Sequence, residues 1–196
     1  MKVIEIFESI QGEGTFLGMP AIFVRLGGCN LHCPFCDTKN SWGDQGVEKE
    51  IGDIVSEVLS YHSPIVVITG GEPSINEDLI PLAKMLKQGG KKVHLETNGT
   101  HNVDHTYFDW IVCSPKKETR FRVCCTADEL KYVVTPEFSP ERDIASSTIS
   151  AYGNGHIWLQ PEGSDMQNMW HKAVELVKQF PELRIGVQLH KLMEVR

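Results

Sequence analysis

Apolar residues recur along this chain in two rhythms. Short apolar or alternating runs at residues 3–10, 21–26, 65–69, 93–96, 110–113, 130–135, 156–160 and 184–189 predict strands, because a two-residue period buries one face of an extended chain. A period near 3.6 predicts three helices. In "IGDIVSEVLSYH" it aligns Ile51, Ile54, Val55, Val58 and Leu59, and in "EDLIPLAKMLKQGG" it aligns Leu79, Leu82, Ala83 and Leu86 ahead of a Gly89-Gly90 stop. The third, "MQNMWHKAVELVKQF", follows Asp165 as an N-cap, with Met166 and Met169 read as core contacts beside Trp170.

Strands alternating with helices imply right-handed crossovers and an α/β fold with a mostly parallel sheet of about six strands. That is too few for a closed eight-stranded barrel, so the expectation is an open sheet or a partial, TIM-like barrel. With 196 residues and no linker or repeat, residues 1–196 read as a single domain. Residues 117–125 and 136–155 read as irregular surface excursions.

The unusual residues fall in one place. "GGCNLHCPFC", "GGEP", "TNGT", "SPK", "QPEG" and "HK" each follow a predicted strand, and strand C-terminal ends are the rim where parallel α/β folds keep their sites.

Composition removes several function classes. No apolar run can span a bilayer, and the N-terminal stretch alternates polar and apolar residues instead of forming a signal-peptide core, which predicts a cytoplasmic location and reduced thiols. A net charge of −7 without a dense basic tract disfavours nucleic acid as partner.

Three of six cysteines, Cys29, Cys33 and Cys36, share the spacing C-x3-C-x2-C. Pro34 excludes a continuous helix, so a loop wrapped by Gly27 and Gly28 is expected. A disulfide, a zinc site or four-cysteine cluster completed by Cys113, Cys124 or Cys125, and a cubane with three protein ligands all remain open. Absent such a role, Cys113, Cys124 and Cys125 read as packing or surface residues.

This spacing, with Phe35 before the third cysteine and "GGEP" on the next strand end, resembles the radical S-adenosylmethionine superfamily. Within it, "SIQGEGTFLGMPAIFVRLGGCNLHCPFCDT", "ETNGT", "SPK", "ELKYVV", "LQP" and "QLHK" resemble the 7-carboxy-7-deazaguanine synthase family over most of the chain. His32 and Phe35 depart from residues frequent there without touching the ligand set.

The resemblance implies a lyase that contracts 6-carboxy-5,6,7,8-tetrahydropterin to 7-carboxy-7-deazaguanine with loss of ammonia, on the route to queuosine and related 7-deazapurines. It implies a 4Fe-4S cluster on Cys29, Cys33 and Cys36, whose open iron takes S-adenosylmethionine and yields a 5′-deoxyadenosyl radical. Cofactor contacts fall to Phe35, Cys36, Asp37, Gly70, Gly71, Glu72, Gly99, Ser114, Pro115 and Lys116. Substrate contacts fall to Ile10, Gln11, Gly12, Glu13, Arg25, Thr97, His190 and Arg196, the last through a terminal carboxylate. Thr38 would help to bind Mg2+, an electron donor such as flavodoxin or ferredoxin would serve the cluster, and a homodimer is implied. No residue is assigned as acid or base. A glycyl-radical activase shares the cysteine spacing but not "SIQGEG" with Thr38, and an electron carrier or zinc-stapled module would leave "GGEP" without a purpose.

Overall fold

A computed structural model describes residues 1–196 apart from 44, 153, 154, 164 and the side chain of Met166. Strands β1 (Lys2–Ile10) and β2 (Pro20–Leu26) pair antiparallel, with Ile10 opposite Pro20. The two-residue β3 (Val47–Glu48), too short for alternation to mark, pairs antiparallel with β1. Strands β4 (Ile65–Gly70), β5 (Lys92–Thr97), β6 (Trp110–Cys113), β7 (Glu129–Val134), β8 (Ile157–Pro161) and β9 (Arg184–Ile185) extend the sheet in parallel from β2. Among the described residues the order β3-β1-β2-β4-β5-β6-β7-β8-β9 ends on two unpaired edges, so the sheet is an incomplete barrel with seven parallel strands.

The helices are α1 (Ile51–Leu59), α2 (Leu79–Gln88), α3 (Pro140–Asp143), α4 (Ser146–Tyr152), α5 (Met166–Gln179) and α6 (Leu189–Leu192). The apolar stripes foreseen for α1 and α2 are buried: Ile54, Val58, Leu82 and Leu86 join Ile22, Ile68, Leu95, Ile111, Leu130 and Ile157 in one core. Each such side chain contributes about 1.5–3 kcal/mol of transfer free energy. β4 is apolar on both faces from Ile65 to Ile68, as parallel strands covered on both sides require.

Three expectations need correction. The predicted strand at 184–189 stops at Ile185, because Gly186 closes the pairing onto Leu159 and the chain turns into α6, where Leu189 donates to the Gly12 carbonyl at 2.9 Å. "HK" therefore lies in a helical turn and not at a strand end. Residues 136–155 contain α3 and α4, anchored by buried Phe138 and Ile144, too sparse a pair to show a period. Asp165 does hold the N-cap position of α5, but its carboxylate takes the Asn168 amide at 2.9 Å and no backbone N–H. Met169 is buried, and the expectation for Met166 lies outside the described residues. Among the described residues no helix is long and apolar enough to cross a membrane.

His94 on β5 is 3% exposed and meets the Phe16 ring edge-on at 4.5 Å between centroids. Burial pushes its pKa down from 6.5 to about 4, against the pull of the Asp109 carboxylate. The unfolded chain takes up this proton below about pH 6.5 and the folded chain only near pH 4. Stability from this group is thus complete above pH 6.5 and falls by up to ~3 kcal/mol as pH drops toward 4. Urea denaturation between pH 4 and 7 should show this loss in the wild type and a shallower one in His94→Gln; equal slopes would refute it.

Candidate active site

The cysteine loop leaves β2 and is anchored mainly by backbone, with the Asn30 side chain accepting from Asn98 and donating to Thr100. Gly28 donates to the Ser41 carbonyl at 2.9 Å, Cys29 to that of Trp42 at 3.1 Å, and Glu72 to that of Gly28 at 2.8 Å. A side chain at Gly71 could not exist here, since its first carbon would lie 2.0 Å from the Gly28 oxygen. The loop after β2 and the loop after β4 are thereby pressed together, the close approach for which glycine is needed.

Cys29, Cys33 and Cys36 are free thiols on a common cavity of about 650 Å3, which excludes the disulfide reading. Cys113, Cys124 and Cys125 do not line it; Cys113 and Cys125 belong to the core. Backbone N–H groups of Leu31 and Thr38 point at the sulfurs of Cys29 and Cys36, each at 3.4 Å, as suits cluster thiolates. Burial pushes the Cys33 thiol up to about 12 and raises that of Cys29, so a bound cation is what would make them thiolates. Among the described residues no three ligating side chains close on a single ion. A cubane makes no such demand, because its ligands sit on separate irons, and the donor set fits one.

Glu72, 2% exposed, ties the ends of β4 and β5. Its carboxylate accepts from Ser74 N at 2.9 Å, Thr97 Oγ1 at 2.6 Å and Asn98 N at 2.6 Å. Lys116 Nζ reaches Ser114 Oγ at 2.6 Å and stands 5.9 Å from the Phe35 ring centroid, beside the cysteines. Burial and the nearby Lys131 charge draw the Lys116 pKa down.

Opposite lies a cation between two carboxylates. Lys131 on β7 pairs with Glu13 and, at 2.9 Å, with Glu96 on β5, all three side chains at most 17% exposed. Burial opposes the Glu13 charge, yet the Lys131 ammonium and the Gln188 amide prevail and its pKa falls. Glu96 has burial and the Glu13 charge against it, and its pKa rises despite Lys131. Gln188 donates to Glu13 at 2.7 Å, and Lys191 bridges Gln188 Oε1 at 2.9 Å to Asp37 at 2.6 Å. This chain of contacts ties α6 across the cavity mouth to the cysteine loop.

Most residues expected at the site line this one cavity: Ile10, Gln11, Glu13, Arg25, Phe35, Cys36, Asp37, Thr38, Gly70, Gly71, Glu72, Thr97, Ser114, Lys116, His190 and Arg196. Gly12, Gly99 and Pro115 do not line it. Gly12 instead makes room for His190, whose Nδ1 lies 1.9 Å from where a side-chain carbon would start. Arg25 gives Nε to Glu5 at 2.7 Å, and the Thr38 hydroxyl donates to Asp37 at 3.1 Å instead of capping the following turn. Glu96, Lys131 and Gln188 were missed as site residues. A lone charge inside each predicted strand, Glu96 and Lys131, was the signal that could have found the first two.

Comparison with known proteins agrees with this geometry. Residues 23–108 match the Radical SAM superfamily. A 7-carboxy-7-deazaguanine synthase of Aquifex aeolicus is 35% identical over 98% of this chain and 93% of its own, and one of Methanospirillum hungatei is 43% identical over 98% and 85%. The crystal structure of QueE from Escherichia coli superposes with a TM-score of 0.74 at 30% identity, covering 96% of this chain and 94% of that one. Streptococcus suis SuiB, with a TM-score of 0.52 at 14% identity, shares the fold. Free thiols under backbone N–H groups, the Glu72 tie and these full-length likenesses converge: the chain belongs to the 7-carboxy-7-deazaguanine synthase family of the radical S-adenosylmethionine superfamily.

Proposed function

We propose that the cavity converts 6-carboxy-5,6,7,8-tetrahydropterin to 7-carboxy-7-deazaguanine with release of ammonia, and that its lining residues divide the work as follows. The observation that carries this reading is that three free thiols and a polar cradle of arginine, glutamates and amides share one rim cavity. When bound on Cys29, Cys33 and Cys36, the cluster with S-adenosylmethionine supplies the 5′-deoxyadenosyl radical.

Glu72, Ser114 and Lys116, with backbone at Phe35 to Asp37 and Gly70 to Gly71, hold the cofactor. Gly99 and Pro115 act from behind the lining, through the turns that present Asn98 and Ser114. Arg25, whose Nε goes to Glu5, offers the rest of its fork to the substrate carboxylate. Glu13 receives the guanidine-like edge of the pterin in place of the Gln188 amide, and Gln11, Thr97 and the Ile10 backbone complete the ring contacts. His190 has its pKa lowered by burial, which favours the neutral imidazole as a hydrogen-bonding partner. Arg196 closes the cavity edge. Thr38 supports a hydrated Mg2+ beside the substrate carboxylate, since one hydroxyl cannot hold the ion alone.

Support for a single radical SAM domain comes from one sheet with one main core, and support for a homodimer from the exposed Leu17, Met19, Leu192 and Met193. Free thiols at the site suit the reducing cytoplasm.

Anaerobic reconstitution with iron and sulfide, then S-adenosylmethionine, reductant and the carboxypterin, should yield the deazaguanine by mass; a competent cluster without that product would sink the assignment. Alanine at Cys29, Cys33 or Cys36 should abolish 5′-deoxyadenosine formation, while Cys124→Ala keeps it. An essential Cys124 would contradict the three-ligand set.

Lys131→Met leaves two buried carboxylates without their cation, which should lower stability by about 3–5 kcal/mol and raise KM for the pterin at least tenfold. Adding Glu96→Gln should recover part of the stability in urea titrations; a double variant as unstable as the single would argue against the ion cluster. Thr38→Ala should raise the Mg2+ concentration needed for half-maximal turnover, and Thr38→Ser should not; identical Mg2+ curves for all three would remove Thr38 from the metal site.

A further inference from the structure

Beyond Lys116, the segment after β6 is not absorbed by the reaction. "KKETRFR", residues 116–122, carries four basic side chains and one acidic one on a chain of net charge −7. Lys117, Arg120 and Arg122 are exposed, and among the described residues no ion pair takes up Arg120 or Arg122. Lys117 faces the Glu137 and Asp143 carboxylates at longer range, so the two arginines are the less compensated charges.

The backbone holds these arginines in an unusual way. Arg120 and Phe121 both adopt left-handed conformations, at φ 54° and 56°, which side-chain-bearing residues rarely occupy. Phe121 is kept there by packing against Tyr132 and Phe138, at 5.8 Å and 6.0 Å between ring centroids. Its backbone N–H closes the turn on the Lys116 carbonyl at 2.9 Å. The phenylalanine is drawn inward and the arginines on either side of it are turned to solvent. Strain of this kind persists where the surroundings over-determine it, and it is often found at functional surfaces.

This turn sits beside the thiols. Lys116 stands over Phe35 in the cysteine loop, and the Glu118 charge bears on the Cys33 thiol. We propose that Lys117, Arg120 and Arg122 form the docking surface for an acidic electron-transfer protein, which delivers its electron to the cluster through the adjoining cysteine loop. The inference rests on the cluster reading above and adds the partner's place and charge. A basic patch on an otherwise acidic protein steers an acidic partner to one face while the rest repels it, raising the encounter rate and fixing orientation.

The test uses the reconstituted holoenzyme with two reductants, an acidic flavodoxin and dithionite. Lys117→Gln/Arg120→Gln/Arg122→Gln should weaken flavodoxin binding in calorimetry by about tenfold at low salt and flatten its salt dependence. Flavodoxin-driven 5′-deoxyadenosine formation should slow, while the dithionite-driven rate stays at the wild-type value. The same charge removed elsewhere, in Lys84→Gln/Lys92→Gln/Lys178→Gln, should leave both rates and the affinity unchanged. Unaltered flavodoxin affinity in the first triple variant overturns the proposal, as does equal weakening in the second. Capture of a random oligonucleotide by this patch with flavodoxin coupling intact would assign it to a polyanion instead and likewise overturn it. Wild-type holoenzyme that makes no 5′-deoxyadenosine even with dithionite would fell the cluster reading itself, a failure distinct from those in the binding data.

Discussion

A single ammonium organises one side of this cavity. Lys131 on β7 stands between Glu13, in the loop after β1, and Glu96 on β5, so that one cation joins a loop and two strands that are distant in sequence. Removing two carboxylates and an amine from water is expensive, and their attraction offsets that cost only if each remaining lone pair finds a donor. Gln188 does this for Glu13 and brings α6 over the cavity, where Lys191 carries the linkage on to Asp37 beside the cysteines. Glu13, which also takes the Gln188 amide, has its pKa lowered, while burial and the Glu13 charge raise that of Glu96.

The side that carries the cysteines uses another device. Among the described residues no ion pair takes up Glu72; three hydrogen-bond donors from the ends of β4 and β5 satisfy its carboxylate, which locks those strand ends in register. The cysteine loop is held by backbone contacts with Gly71, Ser41 and Trp42, by Asn30 between Asn98 and Thr100, and by N–H groups aimed at sulfur. Such a loop presents its three thiols to one cavity. The two halves of the cavity thus divide the labour, with hydrogen-bonded carboxylate and backbone on one side and a compensated ion cluster on the other.

Much of this was legible in the chain. Eight strand positions and three helices followed from periodicity, and the rim location of the motifs followed from where each sat after its strand. The cysteine triad, "GGEP" and "SIQGEG" are local in sequence, and local chemistry survives without knowledge of the fold. The elements that escaped were short: β3 with two residues, and α3, α4 and α6 with one or two turns, lengths at which neither period repeats. The early end of β9 followed from Gly186 meeting β8, a tertiary contact with no signature in the strand itself.

The sequence by itself therefore determined the fold class and the place of most motifs at the rim, because alternation and clustered motifs act over a few residues. Only the tertiary structure decided which charges meet. It paired Lys131 with Glu13 and Glu96 across 118 and 35 positions, and Lys191 with Asp37 across 154. It also turned Gly12 into the space for His190 and placed the Arg120 turn beside Cys33. Ion pairing and close approach depend on distances in space, and those arise only when parallel crossovers bring strand ends to a common rim.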